Sequence, residues 1–292
     1  MKKIFLSLFV IAFTITAAFA QRNVTRNYKF DNITGIDASY TYNVKITKGN
    51  SDKVEVICPD YLEEYLDIKS FNGILYLKMQ LPRNFRHPRN SSQEIVVNMQ
   101  MKSIRSIDLS GASSLSAQGE FTTDNLSYDL SGAAVVRGLN ISGRYVKIDC
   151  SGATNLNQTG NFGKMDLDCS GASKVSLSGN IAEISGEISG ATQVNYSGTG
   201  ISTNIDLEAS GASKATLKGK AQSAKFGCSG ASYINAKDMP AENVSVSASG
   251  ASKASVNATN VLKADASASS SVSYYGNPKQ IITKPTNIRK AD

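Results

Sequence analysis

Tryptophan is absent from this 292-residue chain, histidine occurs once, at His87, and only six prolines are present. Aromatic residues make up 8% of the sequence, so the interior must be built from aliphatic and small side chains. A Ser/His/Asp triad needs a histidine, and His87 lies outside the serine-rich repeated part of the chain, which excludes that chemistry there. The four cysteines, Cys58, Cys150, Cys169 and Cys228, lack the close pairing of a zinc site. No Lys/Arg block interleaved with aromatics occurs, so the chain does not read as a nucleic-acid binder. Beyond the first twenty residues no apolar run approaches the ~20 residues of a spanning helix. The one local basic patch, Arg83, Arg86 and Arg89 around His87, reads as a solvated loop within "PRNFRHPRNSSQ".

The first twenty residues read as a secretory signal peptide. Lys2 and Lys3 precede the apolar run Ile4 to Phe13, and Ala18-Phe19-Ala20 is a small-x-small cleavage site before Gln21. No cysteine follows that site, which disfavours a lipid anchor. Removing the two lysines lowers the formal charge from +7 to +5. The expected product is an exported protein of the periplasm, outer surface or extracellular space.

Glycine and serine are plentiful, and they are periodic. Ser-Gly-Ala occurs eight times, with glycines at 111, 132, 152, 171, 190, 211, 230 and 250, and Ser269-Ser270-Ser271 forms a degenerate ninth copy. A spacing near twenty residues is the mark of a stacked architecture. Two residues before the glycine stand Leu109, Leu130, Cys150, Cys169, Ile188, Ala209, Cys228 and Ala248; four after it stand Leu115, Val136, Leu156, Val175, Val194, Ala215, Ile234 and Ala254. These columns are apolar and the intervening ones polar, so each copy holds short strands with one buried face. A second set of glycines, Gly119, Gly160, Gly179, Gly198 and Gly219, suggests a second turn. Copies this short bury their apolar side only by stacking, at ~4.8 Å per rung. The expected fold is all-β, a parallel β-helix (β-solenoid) with rungs of about twenty residues.

In such a stack Cys150 and Cys169 are small hydrophobes in an inward column, with a disulfide between adjacent rungs as the alternative. Three residues before the glycine an acidic column appears: Asp108, Asp129, Asp149, Asp168, Glu187 and Glu208. Like charges stacked at ~5 Å repel unless cations offset them. Lys147, Lys174, Lys214 and Lys225 are the nearby candidates, and the acids themselves are weak candidates for binding a cation such as Ca²⁺. No catalytic or cofactor-binding residue stands out.

The organisation expected is a signal peptide at 1–20, a β-rich region of divergent rungs or cap at 21–103, the solenoid at 104–276 and a tail at 277–292. Ile36-Asp37-Ala38-Ser39 echoes Ile107-Asp108-Leu109-Ser110, "YTYNVKI" and "ILYLKM" alternate as strands, and "DYLEEYLDIK" from Asp60 suggests one short helix. At the far end Tyr274 and Tyr275 would cover the last rung, with Pro278 and Pro285 ending the pairing and the tail after Lys284 disordered.

The signal peptide, the "DLSGAS"-like copies and the "YYGNPKQIITK" ending together resemble the auto-transporter adhesin head family, the GIN-type domain of exported proteins of Bacteroidetes-like bacteria. The resemblance spans roughly Val24 to Lys290. It implies a right-handed parallel β-helix and an adhesin role, and carries over no catalytic or ligand residues. The function expected is therefore a non-enzymatic, adhesin-like protein that binds a surface glycan or protein through an extended repeated face. The alternatives are a polysaccharide-active enzyme using the acidic column, or a purely structural envelope protein.

Overall fold

The computed structural model describes residues 22–89, 91–283 and 287–291. The expected signal peptide lies outside the described residues. The chain forms a nearly all-β solenoid of about 9 turns, roughly 40 Å long at one strand spacing per turn. No helix among the described residues is long and apolar enough to cross a membrane.

Each turn runs through a leading strand, the Ser-Gly-Ala corner and a trailing strand. Leading strands stack on leading strands in parallel: Asp129, Asp149 and Asp168 are successive partners, as are Leu130, Cys150 and Cys169. Trailing strands stack likewise, with Leu156 on Val175 and Val175 on Val194. The corners stack too. Ala133 N–H donates to Gly111 O at 2.7 Å, and Ala153 N–H to Gly132 O at 2.7 Å. Gly152 has φ +71°, and a Cβ there would sit 2.5 Å from Gly132 O. The corner thus needs glycine twice, for its left-handed backbone and for the closeness of the next rung.

The second turn is mostly a bend inside a continuous strand. Strands such as Val135–Cys150 and Gln193–Ala209 pass straight through it, and Gly198 lies within the latter. Pairing persists because the bend absorbs extra residues as register shifts, for example between Ser197 and Ile201.

Inward side chains form one core. Phe162, Met165, Leu167, Cys169, Val175 and Leu177 of one turn are all buried. Toward the C-terminus the core thins to alanine, with Ala241, Ala248, Ala254, Ala258, Ala264 and Ala266 at equivalent depth. Just after every corner but the one at Gly132, where Ala134 stands, a buried hydroxyl replaces an apolar side chain: Ser113, Thr154, Ser173, Thr192, Ser213, Ser232, Ser252 and Ser270, of which Ser113 and Thr192 find no hydrogen-bond partner among the described residues. Most donate to corner carbonyls, as Ser252 does to Ser249 O at 2.7 Å and Cys228 O at 3.2 Å. They tie consecutive turns together from the inside. All four cysteines are buried free thiols. Cys150 and Cys169 stack as register partners, and the hydrogen bond between them together with burial holds the Cys169 thiol far above its ordinary range.

The N-terminal part combines rungs and a cap. We number its strands β1 (Asn23–Lys29), β2 (Gly35–Ala38), β3 (Tyr42–Lys48), β4 (Lys53–Pro59), β5 (Leu66–Phe71), β6 (Ile74–Met79) and β7 (Ile95–Met101). β2 and β3 form the first turn and pair in parallel with Ser106–Leu109 and Ser114–Gln118. β6 and β7 stack on them in parallel, while β1, β4 and β5 close the end in antiparallel fashion. The helix expected from Asp60 is shorter than anticipated. Only Asp60–Tyr65 forms a 3-10 segment, with Leu62 buried. From Leu66 the chain alternates and pairs with β6, so sheet pairing overrides local helix preference.

The far end also departs from expectation. Pairing continues past Pro278: Gln280–Thr283 stacks on Val261–Ala264, and Ile288–Lys290 stacks on Val272–Tyr274. Pro278 precedes the first of these strands and so removes no ladder donor, the tail expected to be disordered is paired at Ile288–Lys290, and Pro285 lies outside the described residues. The strands, rather than Tyr274 and Tyr275 alone, end the rod.

Candidate functional site

The leading sheet carries the acidic column as a continuous ladder. Asp37 pairs with Asp108, and the line runs on through Asp129, Asp149, Asp168, Glu187 and Glu208. All six expected acids share this column, which Asp37 extends by one rung. Gly227 and Ser247 interrupt it before Asp265.

A second outward column, two residues earlier, was not singled out from the sequence: Lys147, Asp166, Ser185, Asp206 and Lys225. Its lysines offset part of the charge. Lys147 Nζ lies 2.6 Å from Asp149, Lys225 Nζ 3.0 Å from Asp206, and Lys78 pairs with Asp37. Lys174 and Lys214 do not take part. They open trailing strands, on the other side of the corner, where they align with Gln193 and Lys214 stands over the Tyr233 ring. Asp108 sits between two acids, and its carboxyl is pushed up to about 6, first by burial and then by the charges of Asp37 and Asp129.

Around the middle rungs the leading sheet dips at Gly186, and an open groove of about 400 Å³ is lined by Lys147, Asp149, Asp166, Asp168, Glu187, Asp206 and Glu208, with Ser185 between them. Burial would raise the Asp166 carboxyl, but hydrogen bonds from Ser185, Tyr145 and Lys164 outweigh it and hold the group below its ordinary value. Among the described residues no group of three or more His, Cys, Asp or Glu side chains converges as a metal site. The acids are spread along a ladder, not gathered around a point.

The loop expected to be solvated is only partly so. Arg83, Arg86 and Arg89 are exposed, but Phe85 and His87 fold back onto the first turn. There they meet Tyr40, Tyr61 and Tyr65. Ring centroids lie 5.0 Å apart for Tyr65–Phe85, 5.1 Å for Phe85–His87 and 6.1 Å for Tyr61–His87. His87 Nε2 is 3.0 Å from the Tyr40 hydroxyl and Nδ1 is 3.4 Å from that of Tyr61. Since Tyr61 donates to Ser92 O at 2.8 Å, it accepts from Nδ1–H, and Nε2 accepts from Tyr40.

Tyr40 occupies the place of a corner glycine. A Cβ on Gly111 would meet Tyr40 O at 2.7 Å, and Ala112 N–H donates to Tyr40 O at 2.6 Å, as the later corner alanines do to glycine carbonyls. Its φ is +99°, a conformation that strains a bulky side chain by about 1–2 kcal/mol. The available signal was the Ile-Asp-Ala-Ser echo at Ile36: continued by one residue, it puts Tyr40 where the eight Ser-Gly-Ala copies have glycine.

The family model for "Putative auto-transporter adhesin, head GIN domain" matches residues 32–198 and 171–278. The chain belongs to this family. Among solved structures it is similar to a putative adhesin of Parabacteroides distasonis ATCC 8503, with 16% identity, a TM-score of 0.51, and 93% of this chain and 98% of that one covered. It is also similar to a putative lipid binding protein of the same organism (17% identity, TM-score 0.47, coverage 92% and 97%) and to a putative adhesin of Parabacteroides merdae ATCC 43184 (16%, 0.46, 93% and 97%). At 16% identity the first of these similarities, with its TM-score of 0.51, speaks to the fold alone. Comparison with curated proteins gives no match. The GIN-domain assignment agrees with the β-solenoid and with an adhesin-like role for the chain.

Proposed function

We propose that this GIN-domain protein is an exported, non-enzymatic adhesin that holds a surface glycan or protein along its outer faces. The observation that carries the reading is the ladder architecture itself. Polar and charged columns repeat at one strand spacing on a rigid rod, which offers a long ligand many equivalent weak contacts. The adhesin names of the family and of the Parabacteroides distasonis structure support it. A glycan-array assay on residues 21–292, with and without Ca²⁺, tests the proposal. Saturable binding to a defined glycan class is expected; an array blank in both conditions would overturn the glycan arm and leave a protein ligand. Binding that requires Ca²⁺ would assign a cation to the ladder of Asp108, Asp129, Asp149, Asp168, Glu187 and Glu208.

The groove beside Lys147 supports a second reading, a polysaccharide-cleaving enzyme, because it places a cation among carboxylates. Asp166 argues against it. With its carboxylate already satisfied by three donors and stabilised as the anion, it is a poor general acid. Release of reducing ends from uronic-acid polymers, abolished by Asp168→Asn, would favour the enzyme.

A further inference from the structure

We propose that the aromatic cluster at the first corner, together with Arg83, Arg86 and Arg89, is a binding site for a glycan chain bearing carboxylates. This deepens the adhesin reading and rests on it: it names one ligand class and moves the point of recognition from the repeated ladders to the cap.

Three observations converge on this place. The first is Tyr40. Every later corner in the stack uses glycine or, in the last copy, small serines and alanine, yet the first corner puts a tyrosine into a left-handed conformation at φ +99°. Backbone strain of this kind persists only where surrounding contacts enforce it, and it points to a use for the side chain. The second is the loop itself. Fifteen residues separate Met79 from Ile95, against corners of a few residues elsewhere, and the loop is tied down near its C-terminal end. Thr41 Oγ1 donates to Gln93 O at 2.5 Å, and Tyr61 to Ser92 O at 2.8 Å. An excursion this long in a rod of short connections is more often a binding element than a linker. The third is the chemistry gathered there. Four aromatic rings and an imidazole lie edge to face or stacked, each only half-buried. Arg83, Arg86 and Arg89 are exposed beside them, and none forms an ion pair among the described residues.

Half-buried aromatic rings suit the apolar C–H face of a pyranose ring, and the phenol oxygens keep a lone pair that suits its hydroxyls. Unpaired guanidiniums suit planar carboxylates, which they bind through two parallel N–H···O bonds. A neutral sugar would leave the arginines unused. The acidic ladder would repel a uronate chain, so the cap is the part of the rod where such a chain can settle.

The test is isothermal titration of residues 21–292 with tetragalacturonate and with its carboxyl-reduced, neutral counterpart. The variants are R83Q/R86Q/R89Q, whose side chains are exposed and whose fold is checked by circular dichroism, and Y40G, which restores a glycine corner. The wild type is expected to bind the acidic oligosaccharide at least tenfold more tightly than the neutral one. The triple variant is expected to lose at least tenfold of that affinity with its melting temperature unchanged. Y40G is expected to weaken binding without abolishing the fold. Equal binding of acidic and neutral oligosaccharides, or a triple variant as tight as wild type, would overturn the proposal. If the triple variant still binds other glycans on the array as wild type does, the adhesin reading stands and the cap site falls; if neither protein binds any glycan, the cap site and the glycan arm of the adhesin reading fall together.

Discussion

Gly152→Ala and Gly138→Ala make a matched pair that isolates the stacking of the corners. Both glycines have left-handed φ, +71° and +66°. A Cβ at Gly138 meets only Ala117 O, at an ordinary 3.6 Å, whereas at Gly152 it meets Gly132 O at 2.5 Å and Gly132 N at 3.0 Å. Both substitutions incur about 1 kcal/mol for alanine in the left-handed region. Both also gain a similar amount from a stiffer unfolded chain, which cancels in the comparison. Only Gly152→Ala must also lift its corner away from the preceding rung, by about 0.9 Å, to bring the 2.5 Å approach to Gly132 O out to an ordinary 3.4 Å. That movement strains the 2.7 Å bonds from Ala153 N–H to Gly132 O and from Ala172 N–H to Gly152 O, each contributing about 1 kcal/mol. Gly152→Ala should therefore be less stable than Gly138→Ala by about 2 kcal/mol. Urea unfolding followed by far-ultraviolet circular dichroism reads the difference, a suitable probe because the chain has no tryptophan. If the two variants unfold within about 0.5 kcal/mol of each other, tight corner contact is not what demands glycine and the argument fails.

Other perturbations follow from the same geometry. Because the folded pKa of Asp108 is raised to about 6, its contribution to stability is full below the unfolded value near 4 and is lost as pH rises through 6; after allowing for its partial exposure, Asp108→Asn should stabilise by about 1 kcal/mol at pH 7.5 and not at pH 4, read as melting temperature against pH. Tyr128 is fully buried and donates to Gln158 Oε1 at 2.5 Å, so Tyr128→Phe should lose about 1–3 kcal/mol and the double variant Tyr128→Phe/Gln158→Leu should regain part of it in the same urea assay. Native protein should show no reaction with a thiol reagent and four equivalents after denaturation; an intact mass two units low would instead reveal a disulfide between Cys150 and Cys169.

The sequence exposed whatever the rungs repeat. Apolar columns two before and four after each glycine, and the acids three before, reappear every twenty residues, so eight copies reinforce one inference and the register follows from it. Contacts made once were not legible. Tyr40 meets His87 across 47 residues, and nothing local to either position marks the encounter. Lys174 and Lys214 looked close to the acids because only a few residues separate them, but a corner lies between and turns the chain onto another sheet. Pro278 read as a terminator because it excludes a ladder donor, yet it falls just before the strand Gln280–Thr283. The cap's Leu66–Phe71 lost its helix for the same reason of context, since pairing with Ile74–Met79 was the stronger demand.

The thinning of the core to alanine gives the rod a direction of failure. In a solenoid each turn is held only by its neighbours, and each methylene missing from a buried side chain withdraws about 0.8 kcal/mol. The turns built on Ala241, Ala248, Ala254, Ala258, Ala264 and Ala266 are therefore the first to open under heat or tension, and unzipping proceeds from them toward the antiparallel cap. A rod pulled from its C-terminal end would yield there progressively, dissipating load turn by turn while the cap stays folded.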